Sequence, residues 1–172
     1  MSNIDVYIEI TKNTNIKYEY DFNLNSLRVD RILSTPFIFP FNYGFIPKTL
    51  SGDGDPIDAI VYMEFPLISG STVSCRIIGG LETSDDKGED TKLILCPMSK
   101  VSPTEKHIVN ISDLPPSFIT NITYFYKHYK DLEDKQVTIG KILSIDEAIS
   151  KYNDALIKFN ETSIQFNINL ND

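Results

Sequence analysis

Ser51-Gly-Asp-Gly-Asp-Pro-Ile-Asp-Ala-Ile-Val-Tyr-Met63 begins as a turn and ends as a strand. Gly54 allows backbone angles that other residues avoid, and Pro56 stiffens the exit. Ile57 to Met63 then runs apolar over a strand-sized length. The same alternation of turn and strand repeats on both sides. Val6-Tyr-Ile-Glu-Ile10 is a short strand candidate. Ile16 to Phe22 places Tyr18, Tyr20 and Phe22 on one side and Lys17, Glu19 and Asp21 on the other. Leu27 to Val29, Thr72 to Ile78 and Lys92 to Cys96 are further candidates. Asn23-Leu-Asn25, Ser69-Gly70 and Lys87-Gly88 punctuate them. Short strands separated by turns predict a small barrel or sandwich over the first hundred residues.

The last third changes period. Leu114-Pro115-Pro116 precedes Phe118, Ile119, Ile122, Phe125, Tyr126 and Tyr129, the spacing of one helix face with prolines near its start. Gln136 to Ile142 reads as a strand. A second helix begins at Ser144 with Glu147 three residues on, a capping box. Its apolar stripe is Ile145, Ala148, Ile149, Tyr152, Leu156 and Phe159. Beyond it, Ile164, Phe166, Ile168 and Leu170 alternate with polar residues at period two. That pattern predicts an edge strand, on the barrel or on a neighbouring subunit, with a disordered end as the alternative. The class is α+β, a β-barrel with helices laid on it.

The chain has 172 residues, 41% of them hydrophobic and 23% charged, which fits one ordinary domain with a real core. No apolar run approaches the ~18 residues of a membrane span. Met1-Ser-Asn-Ile-Asp5 lacks the basic-then-apolar pattern of a signal peptide, so a soluble protein that stays where it is made is expected. The net charge of −8 repels nucleic acid while leaving room for a local basic pocket. Cys75 and Cys96 sit singly in apolar runs, without zinc spacing, and read as buried reduced thiols, with a disulfide as the alternative that nothing requires.

Chemistry concentrates in two acidic turns. Asp53, Asp55 and Asp58 fall within six residues. Asp53 and Asp55 project to the same side of an extended segment, and a turn can bring Asp58 round to join them. Crowded carboxylates call for a cation or proton between them, and hard oxygen ligands favour Mg2+, Mn2+ or Ca2+. The alternative is an acidic turn held by Asx hydrogen bonds. Asp85-Asp-Lys-Gly-Glu-Asp90 repeats the theme before another strand, with a solvated hairpin tip as its alternative. Lys17, Arg31, Tyr43, Lys92, Tyr129 and Lys130 are scattered groups that could face an anion held against metals. Spacing alone does not bring them together.

Asp53-Gly-Asp-Pro-Ile-Asp-Ala59 resembles the signature of the family I soluble inorganic pyrophosphatases. So, in the family's order, do Tyr7-Ile-Glu-Ile10, Ile16-Lys-Tyr-Glu19, Val29-Asp-Arg31, Phe39-Pro-Phe-Asn-Tyr-Gly-Phe-Ile46, Gly88-Glu-Asp-Thr-Lys92 and His128-Tyr-Lys-Asp-Leu-Glu133. The likeness runs from about Ile4 to about Phe159. It leaves residues 161–172 as a tail beyond the match within a single domain spanning 1–172.

The resemblance implies a five-stranded OB-like barrel with two main helices packed on it. It implies an enzyme that splits pyrophosphate into two phosphates with several Mg2+ ions, Mn2+ or a similar ion being able to substitute. Metal ligands would be Asp53, Asp58, Asp85 and Asp90, with Glu9 and Glu19 near the ions. Asp55 would be the general base for a metal-activated hydroxide. Lys17, Arg31, Tyr43, Lys92, Tyr129 and Lys130 would contact phosphate. Bacterial members are typically cytoplasmic homo-hexamers; for this chain neither a nucleic-acid nor a membrane partner is expected. Two positions depart from the pattern: Phe39 stands where many relatives carry Tyr, and Asp86 where many carry Glu.

Two other functions use the same residues. A hydrolase of nucleoside triphosphates or polyphosphate would need room for a longer substrate, and the chain has no Gly-x-x-x-x-Gly-Lys-Ser/Thr loop. An OB-like binding module with inert acidic turns would need a basic, aromatic face for single strands, which the net charge opposes.

Overall fold

The computed structural model describes residues 3–86 and 88–169. Its strands are β1 (Ile4–Ile10), β2 (Ile16–Asp21), β3 (Ser26–Ile32), β4 (Asn42–Phe45), β5 (Asp58–Val61), β6 (Thr72–Asp85), β7 (Gly88–Pro97) and β8 (Thr138–Leu143). The helices are α1 (Pro116–His128) and α2 (Ile145–Asn169). Five strands close into a ring in the order β1-β4-β5-β7-β6, because β6 pairs back onto β1. β6 is 14 residues long, so its first residues serve β1, its second half serves β8, and β7 runs along its other edge. β5 and β7 are parallel; the other pairs in the ring are antiparallel. β2 and β3 form a separate hairpin. The fold is α+β, an OB-like ring of five strands with two helices on it.

The continuous apolar runs of β5 and β7 follow from burial on both faces. Ala59, Val61, Leu93 and Leu95 belong to a core that includes Ala148 and Ala155 of α2. Their neighbours Ile60, Ile94 and Cys96 belong to a second core, with Ile122, Phe125 and Tyr126 of α1. Both cysteines are unbridged and buried, and burial pushes the Cys96 thiol up to about 12. Arg76, only 5% exposed, spends its guanidinium on the carbonyls of Pro97, Glu105 and Ile108, holding a loop across the second core.

β4 has no counterpart among the expected strands. It is four residues long and nearly all buried, so it carries no alternation to read. Gly44 makes it possible: a Cβ there would lie 1.8 Å from the Tyr7 carbonyl oxygen of β1. Asn42 is fully buried, and its amide stitches two loops to the strand. Its Oδ1 accepts from the backbone N–H groups of Lys12 at 3.0 Å and Leu67 at 2.8 Å, while Nδ2 donates to the Phe65 carbonyl at 2.9 Å.

α1 starts at its proline pair and buries Ile122, Phe125 and Tyr126 as its spacing predicts. α2 starts with the expected box: Ser144 N–H donates to Glu147 Oε2 at 2.9 Å, and Glu147 N–H to Ser144 Oγ at 3.4 Å. Its inner face is narrower than the expected stripe. Ala148 and Ala155 are buried and Tyr152 packs beside them, while Ile149 is 39% exposed.

The expected edge strand over Ile164 to Leu170 is not found. α2 continues to Asn169, and Leu170 lies outside the described residues, as does Lys87 of the predicted turn. Once a helix is nucleated by a cap and a packed face, each further residue adds a hydrogen bond, which outweighs a short period-two pattern.

The Lys141 ammonium and the Ser144 N–H hold the Glu147 carboxyl at about 2, below its usual 4.5. A depressed acid stabilises the fold above its unfolded pKa, and that contribution fades as pH falls toward the folded value. Glu147→Gln should therefore lower the melting temperature at pH 7, and its gap from the parent should narrow as pH falls below about 4.5. A gap that is constant between pH 7 and pH 3 contradicts this.

Candidate active site

One cleft, of about 290 Å3, opens beside the hairpin β2–β3 and the β6–β7 turn. Every residue named above as a candidate metal ligand, general base or phosphate contact lines it except Arg31. Glu9 comes from β1, Lys17 and Glu19 from β2, Tyr43 from β4, and Asp58 from β5. Asp53 and Asp55 come from the turn before β5, Asp85 from the end of β6, Asp90 and Lys92 from β7, and Tyr129 and Lys130 from the segment after α1.

The register explains the convergence. Asp58 lies opposite Lys92 in the parallel β5–β7 pair, and Asp90, two residues before Lys92, shares its face. Lys92 Nζ therefore donates to both Asp58 Oδ2 and Asp90 Oδ2. It also lies 3.5 Å from the Tyr43 hydroxyl and 5.8 Å from the ring centres of Tyr43 and Tyr126. Burial works against the Lys92 charge, but the two carboxylates outweigh it and hold its pKa above the usual lysine value. Burial raises Asp90 and nearby Asp58 adds to that, with Lys92 pulling the other way.

Asp53 Oδ1 accepts from the Asp55 N–H at 3.1 Å, and Gly54 between them has φ +93°. The Asx bond weighed as an alternative is thus present, and the turn it holds also walls the cleft. Lys130 Nζ donates to Asp85 Oδ2 at 3.2 Å. Lys17 Nζ donates to Glu19 and, at 3.4 Å, to Asp30 Oδ2. Glu9 is 8% exposed, and its Oε1 accepts from Tyr20 N–H at 2.7 Å, tying β1 to the hairpin. Burial, with Asp58 and Glu19 nearby, pushes its carboxyl up to about 7. Burial also pushes Tyr129 up to about 12 and raises Tyr43, so both phenols remain neutral donors at ordinary pH.

Phe39 does not border the cleft. It is 2% exposed and packs its ring 4.9 Å from Phe125 in the second core. Asp86 is exposed at the hairpin tip and is not among the lining residues, although its neighbour Asp85 is. Two features of the site lie outside the candidate residues named from the sequence. One is an aromatic wall of Tyr20, Phe22 and Phe45, with Tyr20 and Phe22 ring centres 5.0 Å apart. The other is the pair Asp30 and Glu133, which together hold Arg31.

The carboxylates supply oxygen donors only, the chemistry that suits a hard divalent cation. They share one cleft, but among the described residues no three of them close into a cage. The Lys92 ammonium stands between Asp58 and Asp90. The donor set is of the kind that suits a hard divalent ion such as Mg2+ or Mn2+.

A barrel that gathers carboxylates and ammonium groups into one cleft offers both kinds of partner that a small polyanion with its counter-cations needs. The family model described as inorganic pyrophosphatase matches residues 6–160. The inorganic pyrophosphatase of Saccharolobus solfataricus is 44% identical over 146 residues, 84% of this chain and 85% of that protein. That of Aquifex pyrophilus is 44% identical over 149 residues, 86% of this chain and 84% of that one. The solved inorganic pyrophosphatase of Helicobacter pylori gives a TM-score of 0.91 at 39% identity, covering 92% of this chain and 94% of that one. The chain belongs to the inorganic pyrophosphatase family.

Proposed function

We propose that this protein hydrolyses inorganic pyrophosphate to two phosphates with the help of several Mg2+ ions. The observation that carries the reading is the cleft itself, where Asp53, Asp55, Asp58, Asp85 and Asp90 face Lys17, Lys92 and Lys130. Asp53, Asp58, Asp85 and Asp90 would hold the ions, with Glu9 and Glu19 beside them. When bound, such ions neutralise phosphate oxygens and lower the pKa of water.

The chain's own groups do the rest. Lys17, Lys92 and Lys130 neutralise and orient the phosphates, and Tyr43 and Tyr129 donate neutral hydroxyls to them. Arg31 adds a guanidinium from the rim. A water oxygen bonds to one phosphorus as the bridging P–O bond breaks. The leaving phosphate keeps the electron pair, and Asp55 takes the proton of the attacking water.

Family membership also supports a single domain over 1–172, a cytoplasmic location and a homo-oligomer, the hexamer being the form the resemblance implies. Among the described residues no helix is long and apolar enough to cross a membrane.

A phosphate-release assay on pyrophosphate, ATP and tripolyphosphate, each with Mg2+ and with EDTA, tests the reading. Release from pyrophosphate should exceed that from ATP and should vanish with EDTA. Equal rates on ATP, or release that survives EDTA, would point to another hydrolase.

A further inference from the structure

Arg31 is the anion-contact candidate that the cleft lining leaves out, and two carboxylates account for where it is held. It lies on β3 opposite Lys17 of β2. Its Nε donates to Glu133 Oε1 at 3.1 Å, and its Nη1 donates to Asp30 Oδ2. The Arg31 side chain is 28% exposed and that of Glu133 only 13%. Asp30 is the chain neighbour of Arg31 and divides its carboxylate between Arg31 and Lys17. Glu133 is different: it reaches Arg31 from 102 residues away. It ends the short 3-10 turn Asp131–Glu133, and its N–H donates to the Lys130 carbonyl at 2.9 Å. One carboxylate therefore links the β2–β3 hairpin to the segment that carries Tyr129 and Lys130.

We propose that Glu133 is a positioning residue: by gripping Arg31 at Nε it sets the guanidinium at the rim of the cleft, ready to bind a phosphate group of the substrate. The proposal rests on the pyrophosphate reading. A guanidinium is a planar fork, and a bond at Nε fixes both its plane and its reach. The Nη2 nitrogen has no acceptor among the described residues, so its N–H groups remain for an anion. Arginine carries much rotamer freedom, and an unheld side chain must surrender it on binding. Asp30 alone, adjacent and shared with Lys17, neutralises Arg31 without anchoring it to Lys130.

The test is a double-mutant cycle on the full-length protein. Glu133→Ala should raise KM for pyrophosphate by roughly tenfold with kcat changed by less than about threefold, the loss of one bond to a charged group. Glu133→Gln keeps an oxygen that accepts from Nε and should recover most of the affinity. Arg31→Ala should raise KM at least as far, and adding Glu133→Ala to it should make little further difference. Additive effects, or a Glu133→Ala protein with unchanged KM and only a lower melting temperature, would overturn the proposal. If Glu133→Ala does not fold, Glu133→Asp shortens the reach and must still raise KM. The Nε–H resonance of Arg31 in nitrogen-labelled protein needs no substrate. It should exchange slowly in the parent and fast in Glu133→Asp; equal exchange overturns the grip itself. Parent protein that shows slow exchange yet leaves pyrophosphate intact would instead sink the substrate reading.

Discussion

Asp55→Asn is expected to lower kcat on pyrophosphate by roughly 10²- to 10⁴-fold, the range that a positioned general base supplies. The replacement keeps the size of the side chain. The backbone bond from Asp55 N–H to Asp53 Oδ1 does not use the side chain, so the turn should survive. Affinity for Mg2+ should fall far less than turnover. Asp58→Asn should behave in the opposite way. It removes charge from an oxygen that now holds Lys92, in the register position facing it, and should weaken Mg2+ activation first. Steady-state rates across a Mg2+ titration separate the two. An Asp55→Asn enzyme within a few-fold of the parent at saturating Mg2+ would remove Asp55 from the base role.

Gly44→Ala should have the largest effect on stability. A methyl at that position meets the Tyr7 carbonyl oxygen at 1.8 Å and the Tyr7 carbonyl carbon at 2.8 Å. Both are backbone atoms of β1, so no rotamer change relieves the overlap, and β1 and β4 must separate. Overpacking that flexible side chains absorb costs about 1–3 kcal/mol, and a backbone clash exceeds this. For a chain of this size, 3 kcal/mol corresponds to a melting temperature lower by roughly 10 °C. Gly52→Ala is the control: nothing lies within 4 Å of its added methyl, and the change should stay within about 2 °C. A Gly44→Ala protein that melts within 3 °C of the parent would mean that the strands part at little cost.

Much of this was legible in the residues, for identifiable reasons. Strands buried on one or both faces left apolar runs, and α1 and the start of α2 left a helical period and caps. The acidic turns and the cations were visible as residue types, and the family blocks linked them. What spacing could not show was adjacency across the sheet. Asp58 and Lys92 meet because β5 and β7 run parallel in one register, and nothing local in either segment states that. β4 has no legible pattern, because four residues, nearly all buried, carry no period. At the end of α2 the period-two alternation misleads, because alternation over a few residues is weak beside an established helix. Glu133 sat inside a recognised block, yet its partner lay on a different element, so only the fold revealed the pairing.

Closure of the ring between β1 and β6 sets an order of events during folding. The pair joins Ile4 to Cys75, and the Ser74 hydroxyl donates to Asp5 Oδ1 across 69 positions of chain. β5 must likewise wait for β7, since a parallel partner cannot arrive through a tight turn. The hairpins β2–β3 and β6–β7 are local and can form within microseconds, whereas closure waits on a long loop. Chains rich in such distant pairings fold in milliseconds to seconds. Until then β1, with Val6, Ile8 and Ile10 all destined for full burial, exposes an apolar edge to its neighbours. Refolding yield should therefore fall as protein concentration rises, and amides of β6 and β7 should gain protection in pulse-labelled hydrogen exchange before those of β1.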